Sequence, residues 1–214
     1  MGLVLSASDR EMVRHLREDV KVLENVDDKN RLDIGNGIVH WGCPDLNQFS
    51  DIFRQYVKMF ERWMLDTKVH PLGLNGGALI IPDECAANSD TMPQGRVSRH
   101  NILWAANRLC VQTVALFAHA PCKLAGELGL SVLDELDLLM RAKLAVLRSA
   151  EEERVAVKVA CFFHVDKGMT ADGMPNKRTY FVPRAKWEQH KSELRTRFAS
   201  AQESHSNMMR QEET

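Results

Sequence analysis

The chain lacks an excess of charge of either sign: its 214 residues carry 28 Lys and Arg against 29 Asp and Glu, a formal charge of −1. With a pI near 6.7, it has no general attraction to nucleic acid or to an anionic membrane, so neither is expected as a partner. It also lacks any run approaching the roughly eighteen uncharged apolar residues of a membrane span. The opening MGLVLSASDREM lacks the charge-then-apolar order of a secretory leader. Ser6 meets the minimum of a myristoylation pattern, but Asp9 and Glu11 follow it where basic residues would be wanted. The expected address is cytoplasmic. No repeat, low-complexity tract or linker divides the chain, so one domain over residues 1–199 is expected, with a polar, frayed tail over 200–214. A hydrophobic fraction of 44% with 27% charged residues excludes a disordered chain. The cysteines number five, an odd count scattered through the chain, which excludes a disulfide framework as the organising principle.

What is present alternates between strand and helix. Ser8 with Glu11 three residues on reads as a capping box before the stripe Val13, Leu16, Val20, Leu23. Ile38-Val39-His40-Trp41-Gly42-Cys43 has strand character. Phe49, Ile52, Phe53, Tyr56, Val57, Phe60, Trp63 and Met64 then share one face of a long helix reaching towards residue 70, with Asp45 placed as its N-cap. Pro71 to Gly77 reads as a loop and Ala78-Leu79-Ile80-Ile81 as a short buried strand; residues 84–98 read as loop. A helix through Ile102–Cys110 leads into Thr113–Ala118, a continuous apolar run of the kind found in a parallel strand covered on both faces. A leucine-rich helix over about Val132–Leu147 follows. An alternating strand from Val155 to Val165 places His164 on the side away from Val157, Cys161 and Phe163, towards solvent. After a turn, Thr179–Val182 forms an edge strand. The expectation is an α/β domain with a mainly parallel central sheet flanked by helices, an N-terminal helix and a C-terminal edge hairpin.

In such a sheet ligands bind outside the carboxyl ends of the strands. Two strands here close on metal-ligand residue types: Cys43-Pro44-Asp45 and His119-Ala120-Pro121-Cys122. Two thiolates and an imidazole are the soft and borderline donors zinc prefers, and three protein ligands leave a fourth position open. Asp45 has three readings: fourth ligand, hydrogen-bond partner of a water at that position, or helix cap.

The paired C-x-D and H-x-x-C, each closing a buried strand, resemble the β-class carbonic anhydrases. The strand into Cys43, the Asn75-Gly76-Gly77 loop, the order of helix and strand before H-x-x-C, and the late strand–turn–strand unit around Asp166-Lys167-Gly168 extend the likeness over about residues 36–183. The resemblance implies Zn2+ held by Cys43, His119 and Cys122. It makes Asp45 either a fourth metal ligand or the catalytic group that accepts a hydrogen bond from a zinc-bound hydroxide. It implies reversible hydration of carbon dioxide to bicarbonate by that hydroxide, in a homodimer or higher homo-oligomer. Two departures stand out. The family's C-x-D-x-R ends here in Asn47, which cannot replace a bidentate cation that holds the aspartate off the metal. Lys123 occupies the position after H-x-x-C where relatives usually have glycine.

These departures keep a second reading open, a zinc-binding pseudo-enzyme acting as an interaction or sensing module. Carbonyl sulfide is an alternative substrate, and thiol redox chemistry between Cys43 and Cys122 a weaker third idea. Arg54, Arg96 and Arg99 are the candidates to supply the missing charge. His40, His70, His100 and His164 could each serve as proton shuttle, and their spacing selects none. Cys85, Cys110 and Cys161 are expected to pack as small hydrophobes.

Overall fold

The computed structural model describes residues 4–26, 36–44, 46–62, 66 and 68–212, with backbone alone for 46–48, 62 and 199–212. The first helix, α1, spans Ala7–Glu18 and is capped by Ser6, whose Oγ accepts from the Asp9 N–H at 3.0 Å. The cap therefore lies two residues before the expected Ser8, and Glu11 pairs with Arg14 at 2.6 Å instead of reaching back. A two-residue strand β1 (Glu24–Asn25) precedes β2 (Ile38–Gly42), which is buried throughout. The aromatic helix α2 spans Leu46–Arg62. It buries Ile52, Tyr56 and Phe60, while Phe53 is 40% exposed. Trp63 and Met64 lie outside the described residues.

Two expectations between α2 and the next helix are corrected. Val69–Gly73, read as helix end and loop, is strand β3, paired in parallel with β2 from Ile38↔Val69 to Gly42↔Gly73. As an edge strand it tolerates Pro71. Ala78–Ile81, read as strand, falls largely in a turn of 3₁₀ helix over Gly77–Ile80, because Gly76 and Gly77 adopt positive φ (+91° and +56°) and turn the chain away from the sheet. Helix α3 (Gln94–Arg108) leads to β4 (Thr113–Ala120), and all eight residues of β4 are buried, as its apolar run implies. A short α4 (Lys123–Glu127) is followed by α5 (Val132–Glu152), which opens on a complete Ser131–Asp134 capping box. Strands β5 (Lys158–Met169) and β6 (Pro175–Phe181) form the late hairpin, and α6 (Arg184–Glu212) closes the chain.

The fold is α/β, with one six-stranded mixed sheet in the order β1-β6-β5-β4-β2-β3. Strands β3, β2, β4 and β5 run parallel, while β6 is antiparallel to β5 and β1 to β6. The hairpin is therefore not the sheet edge, since β1 covers β6. Alternation along each strand supplies two buried layers. Val39, Trp41, Leu116, Cys161 and Phe163 pack into the larger core beneath α1, α3 and α5, which Trp187 of α6 also enters. Ile38, Ala115, Phe117 and Phe162 meet Ile52, Tyr56 and Phe60 of α2 on the other face. Because α2 covers that face, His164 is 0% exposed, contrary to the expectation of a solvent position.

Candidate metal centre

Strand order fixes where the chemistry can sit. From β2 the chain moves outward to β3, then crosses back over β2 to β4 and onward to β5. The direction of winding thus reverses between β2 and β4, and the connections after them leave to opposite faces, towards α2 on one and α5 on the other, which leaves a crevice at their carboxyl ends. Cys43 is the first residue after β2, His119 lies in the last turn of pleat of β4, and Cys122 is the N-cap of α4 immediately beyond it. Continuing the Trp41↔Leu116 register brings Cys43 abreast of Ala118. Cys43, His119 and Cys122 therefore lie at the carboxyl ends of two adjacent strands, Cys122 at the head of α4.

Cys43 is half-buried, and His119 and Cys122 are 4% and 5% exposed. Nδ1 of His119 lies 3.1 Å from the Pro121 carbonyl oxygen. A carbonyl only accepts, so Nδ1 donates and a neutral ring keeps its lone pair on Nε2, the arrangement found in metal-ligating histidines. Burial pushes the Cys122 thiol up to about 11; the neighbouring Glu135 carboxyl and the Cys43 thiol push the same way. The two sulfurs are thus near enough to repel as thiolates, a repulsion that a cation between them would reverse.

The walls of the crevice are set by close backbone packing. A Cβ on Gly77 would stand 2.7 Å from the Cys43 nitrogen and 2.8 Å from the Phe117 oxygen, so only glycine lets the Asn75–Gly77 turn approach the strand ends. Trp41 Nε1 donates to the Gly77 carbonyl at 3.0 Å and pins the turn there. Beside Cys43 lies a largely apolar pocket of about 270 Å³, lined by His40, Phe49, Leu72 and the backbone of Gly42 and Gly73. At ~30 Å³ per liquid water, it has room for a triatomic molecule and several waters. His40 stands 2.9 Å from the Tyr56 hydroxyl, and burial holds its imidazole down at about 4 and the Tyr56 phenol well above its ordinary value.

Asp45 lies outside the described residues, as does the side chain of Asn47. Among the described residues no three His, Cys, Asp or Glu side chains stand close enough to share one metal ion. The donor types, their common crevice and the tautomer of His119 fit zinc. Closing a four-coordinate centre takes side-chain adjustment and a further donor, for which Asp45, two residues past Cys43, is placed by sequence. Of the candidate cations, Arg99 is committed elsewhere, donating to the Ile81 oxygen at 2.6 Å and to Asp83 at 2.9 Å. Arg54 is exposed and pairs with Asp51 at 3.6 Å, and Arg96 is exposed. Lys123 extends into solvent towards Glu127 at 3.8 Å. Of the remaining cysteines, Cys85 and Cys161 are buried as expected, but Cys110 is exposed just past the end of α3.

Two buried titratable groups stand apart from the sequence expectations, Glu135 because these do not single it out and His164 because they place it in solvent. Glu135 is 4% exposed on α5, its Oε2 is buried without a hydrogen-bond partner, and burial, then Asp9 and Asp134, raise its carboxyl well above the usual range. Its place within the apolar stripe Val132, Leu136, Leu139 was the available signal. The other is His164, whose Nδ1 lies 2.9 Å from the Thr179 hydroxyl and whose imidazole burial holds down at about 4. No protein-family model, curated protein or solved structure matches the chain. No helix among the described residues is long and apolar enough to cross a membrane.

Proposed function

We propose that the chain is a zinc-dependent lyase resembling the β-class carbonic anhydrases, interconverting carbon dioxide and bicarbonate. The observation that carries this reading is the convergence of Cys43, His119 and Cys122 on the crevice between β2 and β4, where winding direction reverses. Cys43 and Cys122 would hold the ion as thiolates and His119 through Nε2, its Nδ1 tied to Pro121. Asp45 would take the fourth position or orient a water there. When bound, zinc supplies a Lewis acid that brings the pKa of a water to about 7. The pocket beside Cys43 suits a small substrate without charge, since Phe49, Leu72 and the glycine backbone offer it apolar walls. His40, kept neutral by burial and held by Tyr56, places a polar edge on that wall. All five cysteines are free, which suits a reducing, cytoplasmic setting. A homo-oligomer belongs to the same reading.

A second reading, a zinc-bound interaction or sensing module, is favoured by Asn47 at the arginine position and by Lys123. Stopped-flow carbon dioxide hydration on protein of known zinc content, beside Asn47→Arg and Cys43→Ser, separates the two. Hydration that scales with zinc occupancy and disappears in Cys43→Ser is the expected result. Full zinc occupancy with no hydration at any pH would overturn the lyase reading, and activity gained only in Asn47→Arg would trace the loss to that position.

A further inference from the structure

Three strands carry one polar residue each in direct register beside the candidate centre. Thr179 of β6 pairs with His164 of β5, and His164 pairs with His119 of β4. Residues abreast on neighbouring strands share a face and stand about 5 Å apart, so the three form a row across the sheet that ends at His119. The row is buried, with exposures of 6%, 0% and 4%. The layer it crosses also holds the His40–Tyr56 pair among Phe117, Phe162, Ile52 and Phe60. Apolar packing alone does not select polar groups there.

The Thr179 hydroxyl fixes the ring of His164 through Nδ1 at 2.9 Å. Nε2 of the same ring is buried and has no hydrogen-bond partner. A buried polar atom left in this state is destabilising, and in native folds it marks a place that water or a ligand completes. The charged and titratable groups facing His164 are Asp51 of α2, His119 of β4, Lys177 of β6 and Asp166 of its own strand. Lys177 and Asp166 pair with each other at 3.2 Å, and Asp51 with Arg54.

We propose that the Thr179–His164 pair positions a small oxygen ligand at the candidate centre, His164 Nε2 hydrogen-bonding an oxygen of bicarbonate or water held beside His119. A hydroxyl can donate to Nδ1 or accept from it, so Nε2 is a donor in one tautomer and an acceptor in the other. Bicarbonate and water each offer both an O–H and a lone pair, and either tautomer finds its complement. The naming of bicarbonate rests on the proposed lyase function; the need of Nε2 for an oxygen partner does not.

Long-range 15N–1H NMR of the His164 ring tests this, on metal-free and zinc-loaded protein, with bicarbonate or chloride at equal ionic strength. Nε2 is expected to show the shift of a hydrogen-bonded nitrogen. Movement with bicarbonate and not with chloride identifies bicarbonate; a hydrogen-bonded shift indifferent to both identifies water. Thr179→Val, which keeps the side-chain shape, is expected to alter the tautomer ratio and weaken bicarbonate binding about tenfold at unchanged zinc content. His164→Phe is expected to lose that binding, and Thr179→Val decides the matter should His164→Phe fail to fold. An Nε2 shift without a hydrogen bond in every state, together with unchanged bicarbonate affinity in Thr179→Val, would overturn the proposal. Wild-type protein that binds no zinc and hydrates no carbon dioxide would instead sink the lyase reading, and the Nε2 shift would still decide the role of His164.

Discussion

Substituting alanine at Gly77 and, separately, at Gly129 tests how tightly the fold grips the strand ends. Both glycines have positive φ, +56° and +66°. They differ in surroundings: a Cβ on Gly129 meets nothing within 4 Å, whereas one on Gly77 meets the Cys43 nitrogen at 2.7 Å and the Phe117 oxygen at 2.8 Å. The left-handed backbone alone costs an L-residue about 1–2 kcal/mol. The lower conformational entropy of unfolded alanine offsets about 0.4–1 kcal/mol of that strain. Gly129→Ala should therefore lose about 1 kcal/mol. At Gly77 the obstructing atoms are backbone atoms of two buried strand ends, so overpacking adds about 1–3 kcal/mol. Gly77→Ala should lose about 2–4 kcal/mol in all, and should weaken zinc binding because Cys43 must give way. Urea unfolding with a common m-value reads both differences from the midpoints. Equal losses in the two variants, or undisturbed metal affinity in Gly77→Ala, would refute the claim that this glycine sets the geometry of the centre.

Acid should destabilise the protein through His40. Its folded pKa, about 4, lies below the unfolded value of 6.5, so the unfolded state binds the extra proton as pH falls from 6.5 to 4. That gap corresponds to roughly 3 kcal/mol lost across the window; His164, held down to about 4 as well, adds a like slope, so His40→Gln should remove part of it, and an unchanged slope would count against this reading. Glu135 works in the opposite direction, since the folded state holds its proton above the unfolded value of 4.5. Glu135→Met, which removes the partnerless Oε2, should stabilise the protein by about 1–3 kcal/mol at pH 7, with the gain shrinking as pH falls towards 4.5. Loss of stability at pH 7, measured by the same urea titration, would show that the carboxyl has a partner worth keeping.

Much of the sheet was legible because its central strands are buried on both faces. The unbroken apolar run of Thr113–Ala118 announces β4, and Ile38–Gly42 announces β2. The edge strand β3 was illegible: Val69–Gly73 mixes histidine, proline and glycine, and its residues are half-buried or exposed. Ala78–Ile81 has the composition of a strand, yet the two glycines before it impose a turn that no apolar pattern records. Helix α6 escaped notice because its apolar contacts reduce to a few widely spaced residues such as Trp187 and Leu194. The alternation of β5 implies one wet face carrying His164, and α2 removes that face from water.

The placement of Cys43, His119 and Cys122 at the ends of neighbouring strands was legible for a topological reason. A cysteine or histidine that closes a buried parallel strand sits at the rim where parallel sheets bind ligands, and pairing of the two strands brings both rims together. The row Thr179–His164–His119 was not legible, since it depends on the register of β4, β5 and β6, which composition does not encode.

The central claim is tested most directly by zinc K-edge absorption on purified protein of measured metal content, beside His119→Ala and Cys122→Ser. One zinc per chain is expected, with two sulfurs at about 2.3 Å and lighter atoms at about 2.0–2.1 Å. Each variant should remove its own donor: the nitrogen in the first, one sulfur in the second. Protein that carries no zinc, or zinc whose shell contains no sulfur and is unaltered in both variants, would contradict the account.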